Sequence, residues 1–126
     1  MDKMLIAVPS ELPGGMTAAV GAHFGHCDLY TLIEVQGGEV TRVATLPNVP
    51  HQQGGCMAPV NHLASSGVTV LIAGGMGMRP LMGFNQVGIE VFHGAGAESV
   101  SHAVEAFLAG QLRRFAPEFT CGGGHG

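Results

Sequence analysis

The chain reads as a single α/β domain: a mixed, mostly parallel sheet of about five strands, one of them an antiparallel hairpin strand, covered by helices. Three observations carry this expectation. Residues 3–8 and 68–73 are continuous apolar runs, as in strands buried on both faces. Two strand-like runs flank Gly37-Gly38, a hairpin signature, because paired glycines tolerate the positive φ of a tight turn. In the second half, strands alternate with helically spaced segments bracketed by proline and glycine, which implies parallel pairing through crossovers.

Taken in order, the first strand spans residues 3–8 and is ended by Pro9. Residues 10–22 form a loop marked by Pro13, Gly14, Gly15 and Gly21. Strands at 29–35 and 40–46 make the hairpin, and residues 46–55 form a second polar loop with Pro47, Pro50 and His51. Pro59 suits the first turn of a helix and Gly67 its left-handed cap, with Val60, Leu63 and Ala64 as the inward stripe. The strand at 68–73 leads into Gly74-Gly75-Met76-Gly77. Pro80 and Gly88 bracket the next helix, with Leu81, Phe84 and Val87 inward. Its Gly83 weakens it by about 1 kcal/mol relative to alanine, a concession to close packing against a neighbour.

A short strand at 89–92 follows. Val100, Ala103, Val104, Phe107 and Leu108 then repeat at helical spacing. Glu98 in the first turn and Arg113 and Arg114 near or past the end carry the signs the helix dipole favours. The expected division is one α/β domain at 1–112 and a flexible glycine-rich tail at 113–126.

Composition narrows the function. In 126 residues there are 5 Lys and Arg against 9 Asp and Glu, so no basic stripe exists to neutralise a phosphate backbone, and nucleic-acid binding is not expected. The N-terminus lacks a signal-peptide layout and no apolar run is long enough to span a bilayer, so a cytoplasmic, non-membrane protein is expected. Three cysteines do not form a secreted disulfide framework; in a reducing compartment they are thiols or ligands.

The reactive side chains gather in two stretches where the apolar pattern breaks: His23-Phe24-Gly25-His26-Cys27, and His51 with Cys56 in His-Gln-Gln-Gly-Gly-Cys. Thiolate and imidazole are soft-to-borderline donors that select zinc, copper(I) and iron–sulfur species over magnesium or calcium. Cys56 precedes the helix opened near Pro59, where unpaired N–H groups and the dipole favour a thiolate. The bland alternative makes Cys27 and Cys56 small core residues and the histidines solvated. Paired Cys-x-x-Cys spacing is missing, so a closed structural zinc site is not indicated.

Gly74-Gly75-Met76-Gly77 follows a strand and opens a helix, a geometry that binds anions through backbone N–H groups. It lacks the Lys-Ser/Thr of a nucleotide loop, but beside soft donors it could cradle an anionic metal–sulfur species, with Arg79 adding charge and Met76 and Met78 lining the pocket. His62 and His102 read as surface residues. His93 follows the last strand and could face the same edge. Cys121 and His125 either close over a metal from the tail or form an inert terminus. No Ser-His-Asp arrangement, paired-carboxylate site or His-Glu-x-x-His motif can be drawn, which favours a carrier over an enzyme.

Ile6-Ala7-Val8, His23-Phe24-Gly25, the Gly37-Gly38 hairpin, His51 in its glycine loop, Val70-Leu71-Ile72-Ala73-Gly74-Gly75-Met76-Gly77, Gly88-Ile89-Glu90-Val91-Phe92 and the helix to Leu108-Ala109-Gly110 occur in an order that resembles the dinitrogenase iron–molybdenum cofactor biosynthesis family, which includes small orange-protein-like members. The resemblance runs to about Leu112. It implies a ribonuclease-H-like α/β fold without nuclease activity, and a role in binding, carrying or storing metal–sulfur clusters. Members often carry arginine after the Phe-Gly pair; this chain has His26 and then Cys27, which favours direct coordination over an electrostatically held thiomolybdate.

The expectation is therefore a cytoplasmic carrier or scaffold for a metal–sulfur cluster, iron–sulfur first, with molybdenum- or copper-containing clusters as the further cases. Cys27 and Cys56 supply thiolates, His51, His26 and His23 imidazoles, and Gly74, Gly75, Met76 and Gly77 the backbone cradle. Partners are cluster donor and acceptor proteins, with a homodimer as a possible assembly. A thiol-based redox or small-molecule sensor using Cys56, and a mononuclear zinc or copper site, are the alternatives.

Overall fold

The structure, a computed structural model, describes residues 3–21, 29–47, 57–76, 78–94 and 97–116. Five strands, β1 (Lys3–Ser10), β2 (Leu29–Gln36), β3 (Glu39–Pro47), β4 (Val70–Ala73) and β5 (Glu90–His93), form one sheet in the order β3-β2-β1-β4-β5. Among the described residues three helices accompany the sheet: α1 (Met57–Ser65), α2 (Met78–Val87) and α3 (Val100–Leu108). β4 and β5 pair parallel with β1 and with each other, whereas β2 runs against both β1 and β3. One strand is thus antiparallel, as expected. The pairings themselves divide evenly, and the two antiparallel ladders are the longer ones.

Side-chain alternation builds a core on each face of the sheet. Ala7, Tyr30, Leu71 and Val91 point to one side and pack with Val60 and Leu63 of α1 and Leu81 and Phe84 of α2. Ile6, Val8, Ile33, Val35, Val70 and Ile72 point to the other and pack with Val100, Ala103 and Val104 of α3. The continuous apolar runs of β1 and β4 follow directly, since each residue of Ile6–Val8 and Val70–Ala73 is buried on one face or the other. β3 is the exception: its residues stay largely exposed and its outer edge is unpaired among the described residues. No helix among them is long and apolar enough to cross a membrane.

All three helices stop by one device. Gly67, Gly88 and Gly110 adopt φ of 88°, 84° and 74°, and the following N–H groups reach back: Val68 to Leu63 O, Ile89 to Phe84 O and Gln111 to Ala106 O. This is the Schellman closure, in which glycine supplies the left-handed residue; after Gly67 and Gly88 the next side chain, Val68 or Ile89, also returns to the core. It explains why Val87, expected inward, is 44% exposed: it is the capping residue, and Ile89 is the one that re-enters, at 3%.

Other boundaries differ for local reasons. Pro9 does not end β1, which continues to Ser10. Its carbonyl accepts from Gly21 N, so its nitrogen faces away from β2, beyond the end of the β4 pairing, where no ladder N–H is needed. β4 begins at Val70 because Thr69 meets β1 partly through its side chain, the Leu5 N–H donating to Thr69 Oγ1 at 3.1 Å. Glu98 lies before the α3 N-cap, Ser99, whose side chain accepts from His102 N. Leu108, expected inward, is 39% exposed.

The boundary expected at 112 also moves. Residues 113–115 run antiparallel beside β5, with His93 N donating to Arg113 O and Phe115 N to Val91 O, both at 2.8 Å. Phe115 is only 6% exposed and joins the α1–α2 core, so this part of the expected tail belongs to the domain; the rest, from 117, lies outside the described residues.

Phe84→Ala is expected to cost about 3–5 kcal/mol in denaturant unfolding, whereas Val87→Ala should stay within about 0.5 kcal/mol. Truncation after Leu112 removes Phe115 from the core and should lower Tm clearly, which a thermal melt of the shortened chain will read.

Candidate functional site

The registers bring five chain ends to one rim of the sheet. Ser10 pairs with Leu29, and Leu29 with Pro47, so the end of β1, the start of β2 and the end of β3 are level. Ala73 pairs with His93, which levels the ends of β4 and β5, and β4 is tied to β1 through Ile6–Val70 and Ala7–Leu71. Carboxyl ends of strands are where open α/β sheets place ligands. The chain therefore leaves the sheet at Ser10, Pro47, Ala73 and His93, and returns to it at Leu29, all along this rim.

Of the expected donors, Cys27, Cys56, His51, His26 and His23 lie outside the described residues, as do Gly77, Cys121 and His125. The described residues that border them are Gly21 and Leu29 on one segment and Pro47 and Met57 on the other. Among the cradle residues, Gly74 is exposed and Gly75 buried. Met76 is 2% exposed and packs in the α1–α2 core, so its side chain is filler and only its backbone is left to meet a ligand. Arg79 and Met78 are exposed at the start of α2.

The histidines fall out differently. His62 is not merely a surface residue: its Nε2 donates to Pro47 O at 3.1 Å, which ties α1 to the rim end of β3. His93 ends β5 on the rim, half-buried, with its ring against Phe115 at 5.4 Å between centroids. His102 is exposed. Among the described residues no three His, Cys, Asp or Glu side chains are grouped as a metal site.

Sequence reasoning missed the segment that finishes the rim. Residues 11–21 are an ordered strap across the α3 face. Val20 pairs with Ser10, and Ala19 with Ser99. Ala18 O and Met16 O accept from Val100 N and Ser101 N, so the first turn of α3 is capped by the strap and by Ser99 together. Met16, Ala18 and Val20 pack into the α3 core. Their every-second-residue spacing was the available signal, an extended segment hidden among glycines.

Two buried hydroxyls anchor the strap. Gly15 N donates to Thr31 Oγ1 at 3.1 Å, Thr31 and Ser10 hydroxyls are 2.8 Å apart, and Ser10 Oγ donates to Val8 O at 2.7 Å. Gly14, at φ 81°, sits so close to β2 and β3 that a Cβ would lie 2.7 Å from Leu29 Cδ1 and 2.8 Å from Thr45 Cγ2. Only glycine fits this crossing.

Comparison with known proteins places these features in a wider group. The sequence matches the family described as dinitrogenase iron-molybdenum cofactor over residues 2–110. It is 27% identical over 114 residues to an uncharacterised protein of Methanocaldococcus jannaschii, covering 89% of this chain and 92% of that one. The fold resembles the apo form of the orange protein from Desulfovibrio gigas, with a TM-score of 0.79 and 27% identity across 90% of this chain and 93% of that one. A Thermotoga protein described as a NifB protein shares the fold at a TM-score of 0.72 and 24% identity, over 88% and 92% of the two chains.

Thr31→Val keeps the shape of the side chain but strands the Gly15 N–H. It should cost about 1 kcal/mol in chemical denaturation, the part-buried Gly15 N–H losing its acceptor.

Proposed function

Since the chain belongs to the dinitrogenase iron-molybdenum cofactor family, we propose that it carries or scaffolds a metal–sulfur cluster at the carboxyl rim of its sheet. The cluster is cargo, and the protein acts by holding and releasing it rather than by transforming a substrate. The observation that supports this reading is the Ser10–Leu29–Pro47 register. It makes the chain depart toward the His23, His26 and Cys27 segment and toward the His51 and Cys56 segment at neighbouring points of one rim. The Gly74-Gly75 turn leaves the sheet along that same rim.

In this proposal Cys27 and Cys56 are the thiolate ligands, with His51, His26 and His23 as imidazole ligands. Soft sulfur and nitrogen donors match iron–sulfur cargo first and molybdenum- or copper-containing clusters next. Backbone N–H groups at Gly74, Gly75, Met76 and Gly77 would offer hydrogen bonds to bridging sulfides, which carry the negative charge of such clusters. The strand order and the single antiparallel strand suit the ribonuclease-H-like label. The proposal extends to a cytoplasmic location, to donor and acceptor proteins as partners, and to a homodimer formed along the edge of β3 that is unpaired among the described residues.

Anaerobic reconstitution with iron and sulfide, and separately with thiomolybdate and copper, tests the reading by visible spectroscopy and by metal and sulfide analysis. A coloured species containing inorganic sulfide is expected. Cys27→Ala and Cys56→Ala should each weaken retention by roughly 10-fold or more, at least the effect of losing an outer-shell partner. A colourless protein that takes up none of these metals defeats the proposal.

A further inference from the structure

β4 and β5 lie side by side and end level, Ala73 opposite His93, yet the chain leaves them in opposite directions. From Ala73 it passes through Gly74 and Gly75 toward α2, whose Leu81 and Phe84 pack on the face shared with α1. From His93 it passes through Gly94 toward α3, whose Val100, Ala103 and Val104 pack on the other face. Neighbouring strands whose connections part to opposite faces leave a crevice between their carboxyl ends, where open α/β sheets hold ligands.

His93 stands at this crevice. Val91, two residues earlier, points to the α1–α2 face, so strand alternation turns the His93 ring to that face as well. There it meets Phe115 at 5.4 Å between centroids, with the planes tilted by 41°. The Gly74-Gly75 turn leads to the same face one strand away, a spacing of about 5 Å. Two attachments hold the histidine. Its backbone N–H donates to Arg113 O at 2.8 Å, and Phe115, tied to Val91 O by a second 2.8 Å bond, backs the ring.

A side chain that only filled this end of the sheet would be aliphatic, as Ala73 and Val91 are on the same face. Imidazole brings a nitrogen donor instead, one suited to iron, copper and zinc. Packing against Phe115 restricts the ring, so less rotamer freedom is lost when the nitrogen binds.

We propose that His93 is a further ligand of the rim: its imidazole coordinates a metal of the cargo whose sulfides meet the backbone N–H groups of Gly74 and Gly75, and residues 113–115 position the ring. This deepens the cluster-binding reading and rests on it.

Wild type reconstituted with iron and sulfide is compared with His93→Phe, His93→Ala and His102→Gln. His93→Phe keeps a ring for Phe115 to pack on and removes only the nitrogens, whereas His93→Ala removes both. His102 is exposed on α3, which covers the opposite face. The rate at which excess bipyridyl strips the iron is one readout. The other is nitrogen hyperfine coupling in pulsed EPR of the reduced protein, with isotope-labelled histidine. His93→Phe should release iron at least about tenfold faster and lose one imidazole coupling, while its Tm before loading stays at the wild-type value. His102→Gln should match wild type in both readouts. Wild-type release and coupling in His93→Phe overturn the inference. So does a loss confined to His93→Ala, which marks the ring as packing alone, or an equal loss in His102→Gln. A wild type that takes up no iron removes the cargo reading and this ligand with it, whereas a loaded His93→Phe indistinguishable from loaded wild type removes His93 alone.

Discussion

The antiparallel placement of β2 between β1 and β3 is the constraint from which the rest of the molecule follows. Because β2 runs against both neighbours in nearly level register, its start lies beside the ends of both. The parallel pairing of β4 and β5 with β1 adds their ends to the same side. Long connections consequently collect on one rim, while the tight Gly37-Gly38 hairpin occupies the opposite one. A one-residue slip of β2 would send its buried face to the wrong layer, so the two apolar cores enforce the register that assembles the rim.

Those cores are unequal in construction. On one face, two helices cover the sheet and are closed by glycine-dependent turns that return Val68 and Ile89 to the interior. On the other, a single helix is too narrow to cover the sheet alone. The strap fills the gap with Met16, Ala18 and Val20, and in doing so supplies acceptors to the first turn of α3. The same segment therefore completes a core, caps a helix and leads the chain to the rim. Stability and site geometry share residues here, and the Ser10–Thr31 contact lies where they meet.

The edges show a similar division. Residues 113–115 lie along β5 and shield it, with Arg114 paired to Glu90 at 2.8 Å and set over the Phe92 ring at 5.8 Å. β3 has no such cover among the described residues, and carries Val40 and Val43 about two-fifths exposed. Among the described residues one edge of the sheet is thus shielded and the other is not, and the unshielded strand carries Arg42 and Pro47, residue types that discourage indiscriminate pairing.

Sequence alone determined the elements whose cause is local. Apolar runs identified β1 and β4, Gly37-Gly38 the hairpin, and helical spacing with Gly67 and Gly88 the helices and their ends, because periodicity and left-handed turns are properties of neighbouring residues. The family was legible for the same reason, as a series of short motifs in order. Only the tertiary structure decided that Pro9 stays within β1, that Met76 is core and Val87 is not, that His62 reaches Pro47, and that residues 113–115 belong to the domain. The relay from Gly15 through Thr31 and Ser10 to Val8 belongs to this second group as well. Each depends on a partner distant in the chain, and a contact of that kind exists only once the sheet has set its register.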